Sequence, residues 1–399
     1  MFKSITVRNL LSFGPDAEPL PLENLNVLIG PNGSGKSNLL EAIALLRSTP
    51  QDKTPLDMRS VIARGGGISE WIWKGAPEET ATIEGVTFWP ESPPDWKEGR
   101  RAVRHLFEFR QENQRFRLVD ERIEDEQALE GHPEPYFFYK FQAGHPVINE
   151  FNSKKGRLLK PETVSPDTSI LTQIRDPESY PELSHLARSY GQISIYQDWA
   201  FGRNSICRSP QKADLPSEPL EEDFSNLGLF LNQLRDDANT TSTLLKYLSD
   251  LYEGITDFFE RIKGGTVQVF FKEGPFTLPA SRLSDGTMRY LCLLAILCDP
   301  DPPPFLGIEE PELGLHPDVI PKIAELLIAA SSRTQLVVTT HSDVLVDALS
   351  ERPGAVVVCE KHGGATTMRR LDAAELSPWL EEYRLGQLWA RGDFGGNRW

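Results

Sequence analysis

Cysteine is scarce in this chain. Cys207, Cys292, Cys298 and Cys359 are the four present in 399 residues, and none stands in C-x-x-C spacing. Neither a disulfide framework nor a zinc site built on cysteine pairs is therefore indicated. Long apolar runs are also missing. No stretch reaches the length that crosses a bilayer, and Met1-Phe2-Lys3-Ser4-Ile5-Thr6 has no apolar signal-peptide core. The expectation is a reduced, cytoplasmic protein with no membrane partner. Positive charge is in deficit: 42 Lys and Arg stand against 58 Asp and Glu, a net charge of −16. That argues against a protein that coats nucleic acid, although a local basic groove stays open. There is no internal repeat and no heptad pattern long enough for a coiled-coil arm. What is present, 39% hydrophobic and 25% charged residues, is the mixture of a folded chain with a large core.

The most specific stretch is Gly30-Pro31-Asn32-Gly33-Ser34-Gly35-Lys36-Ser37, which matches G-x-x-x-x-G-K-[ST] at every fixed position. Leu25-Asn26-Val27-Leu28-Ile29 before it has the pattern of a buried strand. Asn38 to Leu46 after it carries helix formers with apolar residues at helical spacing. A strand, a Gly-rich turn and a helix cradle phosphates on inward-facing N–H groups at the positive end of the helix. Asn32, Gly33, Ser34, Gly35, Lys36 and Ser37 are thus the expected nucleotide-binding residues. Lys36 is placed for the β/γ-phosphates and Ser37 for Mg2+.

Upstream of the loop, Phe2 to Val7 alternates like a strand. Residues 71–264 change character. His105 to Arg110 and Arg115 to Val119 read as a hairpin, Glu121 to Pro135 as an acidic solvated loop, and Asn226 to Leu234 and Thr243 to Leu248 as helices. The expected division is a nucleotide-binding core of 1–70 and 265–399 with an inserted mixed α/β lobe, 71–264. Two basic clusters fall in that lobe: Arg100, Arg101, Arg104 and His105, then Lys154, Lys155, Arg157 and Lys160. Both fit a solvated charged face better than a phosphate contact, given the overall charge.

A second phosphate-sized helix start lies at Leu283-Ser284-Asp285-Gly286-Thr287, which leads into the apolar run Met288 to Leu297. Phe305 to Ile308 reads as a strand ending in Glu309-Glu310, where carboxylates can hold Mg2+ and polarise water. Gln335 to Thr340 is another buried strand, ending in His341-Ser342. A histidine there can touch a γ-phosphate or orient the catalytic glutamate.

Taken in order, the P-loop, Leu283-Ser284-Asp285-Gly286, Ile308-Glu309-Glu310-Pro311-Glu312, Leu315-His316-Pro317 and Thr340-His341-Ser342 resemble an ABC-type ATPase. More narrowly, they resemble the RecF-like and OLD-like ATPases of the AAA_21 and AAA_15 groups. The resemblance is strong over the two core segments and weak over the region between them. It implies an α/β fold, an ABC-type P-loop ATPase head, and a head-to-tail homodimer with two ATPs held between the P-loop of one subunit and the Leu-Ser-x-Gly helix of the other. It implies Lys36 and Ser37 on phosphate and Mg2+, Glu309 at the metal, Glu310 as catalytic base and His341 as switch histidine. Ser284 and Gly286 would meet the γ-phosphate bound by the partner. Glu309 stands where many relatives carry Asp. The Gln loop has two candidates, Gln192 and Gln197. About sixty residues follow His341, too few for the nuclease domain that OLD-like proteins append. The function this implies is ATP-driven control of a separately encoded, nuclease-like effector, with anti-phage defence as the setting. The alternative is an ATP-gated DNA clamp in repair.

Overall fold

The computed structural model describes residues 1–77, 79–89, 101–128, 131–142, 145–150, 157–159, 164–165 and 167–396. Arg100, Lys154, Lys155 and Lys160 of the basic clusters lie outside the described residues.

In chain order, β1 (Phe2–Arg8), β2 (Leu20–Pro21) and β3 (Leu25–Ile29) precede the P-loop, and α1 (Lys36–Ser48) follows it. Two short helices come next, α2 (Met58–Arg64) and α3 (Ile68–Trp71). Then come β4 (Ala81–Phe88), β5 (Ala102–Glu112), β6 (Arg115–Asp125), β7 (Phe137–Gln142), β8 (His145–Ile148) and β9 (Arg157–Leu158). These pair antiparallel in an eight-stranded sheet of order β2-β1-β4-β5-β6-β7-β8-β9. After α4 (Ile170–Gln173) and α5 (Pro181–Gly191), the short strand β10 (Ile193–Tyr196) returns to the centre of the molecule.

A four-stranded sheet follows: β11 (Gln211–Lys212), then, after α6 (Leu227–Leu234) and α7 (Ala238–Leu251), β12 (Ile255–Lys263), β13 (Thr266–Glu273) and β14 (Phe276–Pro279). The chain then alternates α8 (Asp285–Leu297), β15 (Phe305–Glu309), α9 (Ile320–Ala330), β16 (Gln335–Thr339), α10 (Asp343–Asp347), β17 (Val356–His362) and β18 (Ala365–Arg370). Two helices close it, α11 (Ala373–Leu380) and α12 (Leu385–Arg391).

The central sheet runs β10-β15-β16-β3-β17-β18, parallel from β10 to β17, with β18 antiparallel at the edge. Its strands are apolar on both faces because both faces are covered. Val27 and Ile29 point into one core with α8 and α9, whereas Leu28 points into the other with α1 and the antiparallel sheet. Leu306 and Ile308 go to the first core and Phe305 to the second. This period-two split makes the sheet the wall between two hydrophobic cores.

The separate inserted lobe does not describe this arrangement. β4 is the direct neighbour of β1, and β10 is a strand of the central sheet itself. The 264/265 boundary falls in the β12–β13 turn, where Gly264 and Gly265 take positive φ. Alternation reveals strands but not their partners, so a chain that leaves and re-enters a sheet looks like an insertion. The acidic stretch is likewise half strand. Glu121, Glu124 and Asp125 belong to β6 and are buried, since each carboxylate has a partner: His105 and Ser169 for Glu121, Arg104 for Glu124, Arg101 for Asp125. Arg101, Arg104 and His105, the described members of the first cluster, are therefore partners of β6 carboxylates and make no exposed phosphate face.

Candidate nucleotide site

The C-terminal ends of β3, β10, β15 and β16 lie along one edge of the parallel sheet, where ligands of open α/β sheets collect. The P-loop leaves β3 there. At Gly30, with φ of 147°, a Cβ would stand 2.2 Å from the Cys359 carbonyl, so only glycine fits. Gly35, with φ of 99°, is the N-cap of α1 and provides no side-chain cap. The first turn of α1 therefore keeps N–H groups that a phosphate can take. Thr366 of β18 donates to the Ser34 carbonyl at 2.9 Å and shares a hydroxyl–hydroxyl hydrogen bond with Ser12 Oγ at 2.7 Å, while Asn38 donates to the same Ser12 oxygen at 2.7 Å. This bracing fixes the loop from outside.

Lys36 is buried, and its ammonium donates to the Gly30 and Pro31 carbonyls at 2.9 and 3.0 Å. Burial pulls its pKa below the ordinary lysine value, and Cys359, Glu310, Glu309 and Glu312 oppose the shift. Ser34 Oγ is buried without a hydrogen-bond partner among the described residues. Asn32 and Gly33 are exposed at the outer turn of the loop. Ser37 Oγ donates to Glu309 Oε1 across the groove between α1 and β15. Burial raises the Glu309 pKa, and the Ser37 hydroxyl works against it.

Glu310 follows β15 in a left-handed conformation, φ 45°, and its N–H donates to the Thr339 carbonyl at 3.0 Å. That turn carries its carboxylate out of the sheet, with Oε1 3.3 Å from His341 Nε2 at the end of β16. Non-glycine residues in this region are strained and cluster at functional sites. Glu312 is the better-anchored acid: its Oε1 accepts from Thr340 Oγ1 at 2.6 Å and from the His341 N–H at 3.0 Å. Burial raises its pKa.

Ser284 and Gly286 lie elsewhere, at the start of α8. Ser284 Oγ accepts from the Thr287 N–H at 3.1 Å and pairs with Thr287 Oγ1 at 2.8 Å, so its bonds stay inside its own turn. A Cβ on Gly286 would sit 3.2 Å from the Gly314 carbonyl. Arg208 latches the same turn, donating to the Leu283 carbonyl and to Asp285 at 2.6 Å each. The structure thus joins Ser37 to Glu309 and Glu310 to His341, with Lys36 beside them on the P-loop, while the bonds of Ser284 stay within the α8 start.

Trp199 and Arg289 carry geometry without a motif to announce them, and Glu312 has a role its motif did not assign. Trp199 Nε1 donates to the Glu309 carbonyl at 2.6 Å. The Arg289 guanidinium lies 4.8 Å from the Trp199 ring centroid and donates to the Glu310 carbonyl at 3.2 Å, joining α8 to the acidic turn. Glu312 orders the residue that reaches Glu310. The Gln-loop ambiguity also narrows. Gln192 precedes β10 at the far end of the sheet, and Gln197 follows β10 at the edge that carries Glu309.

The donor set suits a nucleoside triphosphate with Mg2+. It offers a helix start without a side-chain cap, a buried hydroxyl without a partner, a buried ammonium, and a hydroxyl–carboxylate pair of hard oxygens. Mg2+ is held by few protein oxygens plus phosphate and water, which such a pair can supply.

Fold and site together define a P-loop protein of the ABC ATPase-head type. Residues 25–347 match the family described as "AAA domain, putative AbiEii toxin, Type IV TA system", and the chain belongs to this family. Two solved structures share the fold: an Smc head bound to the C-terminal winged-helix domain of ScpA, and the Pyrococcus furiosus Smc head with an extended coiled coil bound to the C-terminal domain of ScpA. The first is 14% identical, covering 94% of this chain and 99% of that one at a TM-score of 0.56. The second is 13% identical, covering 96% and 98%, also at 0.56. The Old nuclease of Escherichia phage P2 is 25% identical over 182 residues, which are 39% of this chain and 30% of that protein. The chain thus spans under a third of the nuclease it matches. No helix among the described residues is long and apolar enough to cross a membrane.

Proposed function

We propose that this protein binds and hydrolyses ATP with Mg2+, at a site completed by a second copy of the chain, and uses that cycle to control a separate effector. The observation that carries the reading is the junction of Ser37 with Glu309 and of Glu310 with His341 at the mouth of the P-loop strand. In this account Lys36 and the first turn of α1 hold the β- and γ-phosphates. Ser37 and Glu309 hold Mg2+, which neutralises charge on the phosphate oxygens. Glu310 takes the proton of the attacking water, and His341, ordered by Glu312, positions that carboxylate. Ser284 and Gly286 of the partner copy close on the γ-phosphate. The exposed Ser284 supports this division, because among the described residues its hydroxyl bonds only within its own turn and makes no bond to the P-loop.

The effector reading rests on the family's description, which names a toxin, and on the likeness to a nuclease. Phage defence is the setting we favour. The DNA-clamp alternative loses the cluster around Arg101, whose described members are spent on internal ion pairs. Phosphate release from ATP, measured with Mg2+ and with EDTA for the wild type and for Glu310→Gln, is the test. Mg2+-dependent turnover abolished by the substitution supports the reading. Absence of both nucleotide binding and turnover would overturn it.

A further inference from the structure

The solvent face of the four-stranded sheet has a composition at odds with the rest of the molecule. Register puts Asp257 beside Lys272, Phe259 beside Phe270, Arg261 beside Gln268 and Lys263 beside Thr266, all on one face. β11 adds Lys212 beside Thr266 on that face. The opposite face, with Phe258, Val269 and Phe271, is core. Phe259 and Phe270 belong to neither hydrophobic core. They stack on each other, centroids 5.7 Å apart and planes 15° from parallel. The Arg261 guanidinium lies 4.6 Å from the Phe270 centroid and 5.3 Å from that of Phe259.

Charge is as uneven as the rings. Four cations, Lys212, Arg261, Lys263 and Lys272, face one carboxylate, Asp257, in a chain of net charge −16. Asp257 is itself neutralised by Lys272 at 2.7 Å and Arg235 at 3.6 Å. Among the described residues, Lys212, Arg261 and Lys263 have no ion-pair partner. Cross-strand stacking alone would stabilise the sheet, but it would not require three cations without ion-pair partners around a half-buried ring pair on the solvent side.

We propose that this face binds single-stranded nucleic acid, with bases stacking on Phe259, Phe270 and Arg261 and the phosphate backbone crossing between the cations. Unpaired bases offer ring faces to aromatic side chains and guanidinium planes, whereas a duplex hides them. The Lys212–Lys263 row and Lys272 are six residues apart along β13, about 20 Å, so a strand crossing the ring pair meets positive charge on both sides. The site requires no bound nucleotide and lies outside the P-loop machinery.

The test is fluorescence anisotropy of labelled (dT)20 with the full chain, without ATP, across a salt series. Binding should weaken with salt, with a log–log slope that approaches about −0.7 for each cation engaged. The Phe259→Ala/Phe270→Ala pair should weaken binding by about tenfold or more, and Lys212→Gln/Lys263→Gln should flatten the slope with the ring pair intact. Unchanged melting temperatures would show that both variants fold. No binding at low salt, duplex bound as tightly as (dT)20, or a ring variant that binds like the wild type would each overturn the proposal. Polyglutamate competing as well as (dT)20 would instead assign the face to an acidic protein segment, and would overturn it too.

Discussion

Two helices of this chain begin at phosphate-sized turns, and they differ in what their first turn does with its N–H groups. α1 starts after Gly35, which offers no side chain, and a buried Ser34 hydroxyl nearby has no partner. α8 starts after Ser284, whose hydroxyl caps Thr287, with Arg208 holding Asp285 beside it. Both carry small residues and both read as anion sites in the sequence. The first is built for a ligand held by its own chain. The second has its cap bonds inside its own turn, with Ser284 exposed, as the proposed contact with a phosphate of another copy requires. The far ends differ as well. α1 ends with Arg47, paired with Glu222, where the helix dipole favours a cation. Beyond the C-cap of α8, Cys298, comes the buried Asp299, whose carboxyl is pushed up to about 6 chiefly by burial.

The largest effect that separates the two ends is chemical. Glu310→Gln should lower ATP turnover by about two to four orders of magnitude, the range of a lost general base, with nucleotide affinity retained; steady-state rates alongside equilibrium binding will check both halves. Lys36→Ala removes a buried charge-assisted contact worth about 1.5–3 kcal/mol, so ATP should bind roughly tenfold to 150-fold more weakly in a titration of the isolated chain. Retention of full affinity would dissolve the contrast, since α1 would then not be the helix that holds the ligand. Ser284→Ala should act oppositely: about 0.5–2 kcal/mol of folding stability lost with the cap, read from the urea midpoint, and no change in ATP affinity of the single chain. An affinity loss there would mean the two helix starts already meet within one molecule.

The smallest expected effect lies at the far end of α8. Asp299 binds its proton more tightly in the folded chain, at about 6, than an ordinary aspartate, at 3.8. Its contribution therefore destabilises the fold progressively as pH rises from about 4 to 6, and is flat above that. Asp299→Asn should stabilise the protein modestly at pH 7 and reduce that pH slope, as urea midpoints between pH 4 and 7 will show.

Much of the nucleotide edge was legible in the sequence because its parts are local. A strand, a glycine turn and a helix announce Lys36 and Ser37 within a dozen residues, and Glu309, Glu310 and His341 sit at the ends of apolar runs short enough to be strands. The unreadable parts are the non-local ones. Nothing near Trp199 says that β10 will lie beside β15, so its bond to the Glu309 carbonyl had no local sign. Arg289 reads as one polar residue in an apolar helix until the Glu310 turn arrives over it. Residues 71–264 looked like an insertion because strand partners are chosen by the whole fold. Arg101 and His105 looked like surface charge because their partners, Asp125 and Glu121, stand in a stretch read as loop.

The proposed shared site requires the two helix starts to meet only between copies. The direct measurement is the solution mass of the Glu310→Gln protein, with and without saturating ATP and Mg2+. A monomer that becomes a dimer only with ATP and Mg2+ is the predicted result. A protein that binds ATP and keeps one mass throughout would contradict the shared site.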